Sequence, residues 1–254
     1  MRSIALSHRF ETRKVPDVDG TFWFLKILTT AMGEATSDYF VHHFNPEVAV
    51  LCTGVVFAAV LYRQLVEPAY RATWYWAAVV MVSVFGTMCA DVVHVGLGVP
   101  YVVSASVFAV ALVVVFVSWS HVEHTLSIHS ITTTRRELFY WLAVIVTFAL
   151  GTAAGDWTAV TLHLGYFGSG VLFTVLFCLP IIGFAVLRLN AIAMFWTAYI
   201  LTRPMGASFA DWLGVSHERG GLDWGTGKVA LALSALIVVT VGLRARHDRA
   251  IALA

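Results

Sequence analysis

Apolar side chains fill this chain in long runs, and the polar positions gather in the short stretches between them. Eight runs, residues 20–42, 47–66, 73–95, 100–119, 137–163, 168–188, 191–214 and 226–244, are each of spanning length. A hydrocarbon core of about 30 Å needs about 20 mostly apolar residues of α-helix. The pattern predicts an all-α, polytopic membrane bundle of eight transmembrane helices, with little chain left for a soluble domain. Composition agrees: 59% of the 254 residues are hydrophobic and 12% charged, far from the roughly 25% charged residues of an average soluble domain.

The runs repeat. Phe22-Trp23, Tyr75-Trp76, Tyr140-Trp141 and Phe195-Trp196 are each followed ten residues after the tryptophan by a glycine (Gly33, Gly86, Gly151, Gly206). An aspartate comes five residues later (Asp38, Asp91, Asp156, Asp211). The pattern [FY]-W-x9-G-x4-D thus occurs four times without a gap. The tryptophans lie 53, 65 and 55 residues apart, which divides the chain into two similar halves. We expect a cytosolic tail at 1–19, a first membrane half at 20–119 (repeats one and two), a cytosolic linker at 120–136, a second half at 137–245 (repeats three and four) and a cytosolic tail at 246–254. Each copy contains two spans, so all copies enter the membrane from one side as parallel repeats.

Charge placement bears on that topology. Arg2, Arg9, Arg13, Lys14, Arg63, Arg71, Arg135, Arg136, Arg188, Arg244, Arg246 and Arg249 fall on the side holding both termini, against Arg219 and Lys228 on the other. The positive-inside rule makes both termini cytosolic. The first 19 residues contain no apolar stretch like a secretory signal, so the first span is expected to be retained. A net charge of +1 offers nothing to a nucleic acid. Cys52, Cys89 and Cys178 are odd in number and set in apolar runs, which reads as packing and not as a disulfide or zinc framework.

The aspartates carry the candidate chemistry. With a rise of about 1.5 Å per residue, each lies roughly 22 Å along the helix from its tryptophan, in the outer part of the bilayer. Gly33, Gly86, Gly151 and Gly206 precede small residues by four positions (Ser37, Ala90, Gly155, Ala210), a spacing that lets helix backbones approach closely. The odd-numbered spans are therefore the inner ones. One turn before each aspartate stand Glu34, Thr87, Thr152 and Ala207, so three copies place a polar group on the acid's face. Intramembrane acids are costly and mark ion or proton pathways by default. Glu34 occurs only in copy one and Arg203, next to Pro204, only in copy four. If the copies close into a ring these are neighbours, and we expect them to pair as a charge-compensating or gating couple. Lys26 is expected to snorkel to the cytosolic surface. His42, His94, His163 and His217 follow an aspartate by three to seven residues, which makes them candidate metal ligands beside the carboxylates.

No phosphate loop, nucleophile elbow or zinc-protease helix is present, so nothing points to an enzyme or a cofactor. The G-x4-D units, with "KILTTAMGE" in copy one and "ILTRPMGA" in copy four, resemble a family of bacterial membrane-anchored proteins built from a repeated domain of unknown function. The resemblance covers about residues 15–245. It rests on Lys26, Gly33, Glu34 and Asp38, on Gly86 and Asp91, on Gly151 and Asp156, and on Arg203, Pro204, Gly206 and Asp211; the histidines stand outside it. It implies the architecture and a bacterial inner-membrane location, and it assigns no activity. The expectation is a small-cation transporter or channel, for protons or a divalent metal, whose partners are the lipid bilayer and the cation. Its binding residues are Asp38, Asp91, Asp156, Asp211 and Glu34. The alternative is a non-transporting scaffold in which the acids tie helices together.

Overall fold

The computed structural model describes residues 13–253; the expected tail residues 1–12, with Arg2 and Arg9, and the side chain of Arg249 lie outside them. Among the described residues the regular structure is helical. The helices are α1 (Gly20–His43), α2 (Pro46–Val66), α3 (Ala72–Asp91), α4 (Tyr101–Glu123), α5 (Thr134–Asp156), α6 (Gly165–Ala185), α7 (Ala191–Gly214) and α8 (Thr226–Leu253). A π turn, Val92–Gly96, extends α3, and another, Trp157–Thr161, extends α5. Side chains that accept from the first-turn N–H groups mark several starts: Asp19 from Phe22 at 2.8 Å, Asn45 from Val48 at 3.1 Å and Asn190 from Ile192 at 3.0 Å. Helix α7 continues unbroken through Pro204.

Among the described residues six helical segments are long and apolar enough to cross a membrane: Pro46–Val66, Ala72–His94, Tyr101–Glu123, Thr134–Thr161, Gly165–Ala185 and Thr226–Asp248. The chain is a multi-pass membrane protein. Lys26, Glu34 and Asp38 interrupt the apolar run in α1, and Arg203 and Asp211 do so in α7.

The four odd helices form a closed inner ring, α1 against α3, α3 against α5, α5 against α7 and α7 against α1. Each even helix lies outside, on the odd helix that follows it: α2 on α3, α4 on α5, α6 on α7, and α8 back on α1. Burial follows this order. In α3 and α5, 56% and 61% of the most apolar stretch is enclosed by protein, against 17–28% in the four even helices. The even helices turn Val107, Val110, Val114, Val117, Leu231 and Val238 outward, an apolar surface suited to lipid.

One relation generates the ring. A β-carbon on Gly33 would fall within 3.0 Å of Ser83, on Gly86 of Phe148, on Gly151 of Arg203 and on Gly206 of Thr30. Each of these neighbours stands three residues before the glycine of the next copy, and the fourth relation returns to the first helix. The four glycines are thus seats that bring adjacent inner helices into close approach. Gly155, expected to act likewise, has ordinary clearance, with Ser208 Oγ at 3.5 Å and Pro204 Cα at 3.7 Å from a β-carbon placed there.

Within the expected tail, Lys14, Val15 and Pro16 are buried: Lys14 donates to Glu137 Oε2 at 2.7 Å and to the Leu65 carbonyl at 2.8 Å, while Gln64 donates to Glu137 Oε1 at 2.8 Å. Between the two halves α4 reaches Glu123 and α5 starts at Thr134. Cys52 and Cys178 are exposed on outer helices, so of the three cysteines only the half-buried Cys89 has a packing role. Basic residues at this end are matched by acids: Arg63 to Glu67 at 2.6 Å, Arg13 to Asp17 at 2.8 Å, Arg135 and Arg136 to Glu123, and Arg244 to Asp19.

Candidate functional site

The inner ring stacks its side chains in layers one helical turn apart, because residues four positions apart share a helix face. At the end holding residue 13, Tyr75 and Tyr140 meet hydroxyl to hydroxyl at 2.5 Å, packed among Trp76, Trp141 and Trp196. The next layer holds Lys26, whose ammonium lies 4.2 Å from the ring centre of Phe148 and 4.1 Å from that of Tyr199. It has no hydrogen-bond partner and is 1% exposed. The expected snorkelling is therefore corrected: the faces of Phe148 and Tyr199 hold this side chain inside the bundle.

Arg203 follows, fully buried, its guanidinium 3.7 Å from the centre of the Phe148 ring. It donates to the Thr30 carbonyl at 3.2 Å, to Thr87 Oγ1 at 2.9 Å and to Thr152 Oγ1 at 3.4 Å. Thr152 and Thr87 in turn donate to Glu34 Oε2, at 3.2 and 3.4 Å. Glu34 and Arg203 thus belong to one knot to which all four inner helices contribute, joined through two threonine hydroxyls with no direct ion pair among the described contacts. The guanidinium meets α1 at the Thr30 carbonyl, one turn before Glu34, and the two threonine hydroxyls bridge that turn.

One turn further out the acids converge in two groups. Carboxylate oxygens of Glu34, Asp38 and Asp211 lie within 4.8 Å of one another, and so do ligand atoms of Asp91, His94 and Asp156. Ser37 Oγ donates to Asp91 Oδ2 at 3.2 Å across the boundary between the groups. The grouping follows the helices, α1 with α7 and α3 with α5. The second pair alone carries π turns after the aspartate, a feature frequent at functional sites.

Of the candidate histidines only His94 joins the acids. His42 folds onto the Asp38 carbonyl at 2.7 Å, at an exposed helix end. His163 is an exposed turn residue with φ of 56°. His217 bonds the Gly221 carbonyl at 2.9 Å within its own turn. His42 sits in the last turn of α1 and His163 and His217 lie past the ends of their helices, whereas the π turn after α3 holds His94 beside Asp91.

Arg219 was not singled out by sequence. It donates to Tyr166 Oη at 3.0 Å. Partial burial opposes its charge, but Tyr166 and the carboxylates of Asp38 and Asp211 outweigh that and hold its pKa above the ordinary value. Its place on the charge-poor side, a few residues past the last aspartate, was the available signal.

A ring of four like-oriented helices, sheathed by four outer ones and presenting acids at one end of its axis, defines a multi-pass membrane protein of internally repeated architecture. The chain belongs to the family described as Repeat of Unknown Function (DUF347), which matches residues 74–125, 139–188 and 194–250, more than half of its length. Each matched segment opens one residue before an aromatic-tryptophan pair, so the family unit coincides with copies two, three and four. The copy bearing Glu34 lies outside the matched segments. No curated protein and no solved structure matches the chain.

Proposed function

We propose that this protein binds and moves a small cation, a proton or a divalent metal ion, across a bacterial inner membrane, without acting as an enzyme. In this reading all eight helices cross the bilayer as four parallel two-helix repeats, with both termini cytosolic. The observation that carries it is the convergence of Asp38, Asp91, Asp156 and Asp211 from four inner helices at one end of the axis. The side chains of Asp91 and Asp156 are 21% and 19% exposed there, so a cation could reach them. Behind them the buried Arg203 opposes a cation further along the axis, and Lys26 and the Tyr75–Tyr140 pair fill it. That arrangement fits a transporter open to the outer side and shut to the inner better than a continuous channel.

Purified protein in liposomes tests this reading. Proton or divalent-cation uptake is expected, falling at least tenfold when all four aspartates become Asn; unchanged flux would end the assignment. The buried Arg203–threonine–Glu34 knot favours a second reading, a non-transporting scaffold. It expects the same substitutions to lower thermal stability and leave no cation-dependent phenotype.

A further inference from the structure

Among the described histidines His94 stands apart. Its side chain is 1% exposed, and its two ring nitrogens face different partners. Nδ1 lies 3.1 Å from Ser104 Oγ, and the Ser104 hydroxyl donates its proton to the Tyr101 carbonyl at 3.0 Å. The serine oxygen therefore accepts from Nδ1–H, which leaves Nε2 with a bare lone pair in the neutral ring. That Nε2 has no hydrogen-bond partner. It points between two carboxylates, 3.6 Å from Asp91 Oδ1 and 3.9 Å from Asp156 Oδ2. A lone pair facing two carboxyl groups inside a protein is unfavourable unless a proton or a metal ion lies between them.

The geometry points to a site for a divalent transition-metal ion held by Asp91, His94 and Asp156, an assignment that rests on the cation reading above and narrows it. Ligand atoms 2.0–2.2 Å from a tetrahedral metal stand about 3.4 Å apart, near the 3.6 and 3.9 Å from His94 Nε2 to the two carboxylates, which themselves offer oxygens within 4.8 Å of each other. Neutral imidazole with two carboxylates suits zinc, cobalt, iron or manganese better than magnesium or calcium, which favour oxygen alone. Ser104 supplies the outer hydrogen bond that orients a ligating histidine. Copy three sharpens the point. Ser169, thirteen residues after Asp156 as Ser104 is after Asp91, meets Thr158 Oγ1 at 2.6 Å and Ser208 Oγ at 2.9 Å. Where no histidine faces it, the equivalent serine joins a chain of hydroxyls. In copy two it is given over to His94.

Full-length protein in detergent, titrated with Co2+ and followed by visible absorption, tests the site. One equivalent is expected to bind with a ligand-field band, to be displaced by Zn2+ and to resist a hundredfold excess of Mg2+. His94→Gln and Asp91→Asn are expected to weaken binding at least tenfold, and Ser104→Ala about tenfold, in protein with unchanged helical content and elution volume. His42→Gln and His217→Gln are expected to stay within twofold of the parent. Absence of saturable Co2+ binding, or equal binding by His94→Gln, would overturn the assignment. The two readings separate in the liposome assay: Co2+ binding without flux keeps this site and removes the permeation role. Aspartate-dependent flux in protein that binds no Co2+ does the reverse.

Discussion

Arg203 and Glu34 show how a buried charge is tolerated here. Neither is neutralised by direct contact. The guanidinium spreads its donors over two threonine hydroxyls and a carbonyl and rests on Phe148, and the same hydroxyls donate to the carboxylate. Removing one partner leaves the other buried without compensation, which typically costs about 3–5 kcal/mol. Arg203→Met and Glu34→Gln are each expected to lower stability in detergent by several kcal/mol by that reckoning. The double variant should lose less than the sum, with a coupling of about 0.5–3 kcal/mol. Purely additive losses in thermal or denaturant unfolding would show that the two groups do not belong to one network.

Between helices, the decisive contacts are the four glycine seats. Each admits the residue three positions before the glycine of the next copy, so one local rule applied four times closes the ring. Gly86→Ala gains up to about 1 kcal/mol of helix propensity but drives a methyl into Phe148, an overpacking cost of about 1–3 kcal/mol. Net destabilisation is expected. Gly155→Ala meets only ordinary contacts, so it should be neutral or stabilising by up to about 1 kcal/mol. Unfolding midpoints of the two variants side by side check the seat assignment, and indistinguishable midpoints would refute it.

Across the bundle, the ring has one seam the backbone does not close. The three other outer helices lead straight into the inner helix they cover, whereas α8 must find α1 from the far end of the chain. Arg244 on α8 pairs with Asp19, the residue that caps α1. Burial raises the pKa of Asp19, but hydrogen bonds from Arg244 and the Phe22 N–H outweigh it and hold the carboxyl below its ordinary value. The seam's contribution is therefore complete above the unfolded carboxylate value of about 3.9 and is lost as pH falls through the lower folded one. The pair is partly exposed, 40% at Asp19 and 20% at Arg244, so Asp19→Asn, which keeps the cap, should cost no more than about 1 kcal/mol. Asp19→Ala removes the cap as well, a further cost of about 0.5–2 kcal/mol. Thermal unfolding at neutral and acid pH separates the two contributions, and equal losses from the two variants would place the cap outside the seam.

Much of this design is readable along the chain, because a helix advances by a constant rise. A repeat that holds Trp, Gly and Asp at fixed offsets must bring all four aspartates to one depth, wherever the helices lie. Partnership is different, since it depends on which helices become neighbours across 50 to more than 200 residues. Offsets alone could not reveal that Ser83, Phe148, Arg203 and Thr30 occupy the glycine seats, or that threonines stand between Arg203 and Glu34. Nor could they show that Lys26, one turn inside its span, meets aromatic faces before it can reach water. His94 depends on a π turn, a local change of pitch that the regular spacing of apolar residues does not record, so only the assembled bundle separates it from His42, His163 and His217. Helical pitch is a property of each segment alone, whereas these contacts exist only once eight segments have packed and excluded every other arrangement.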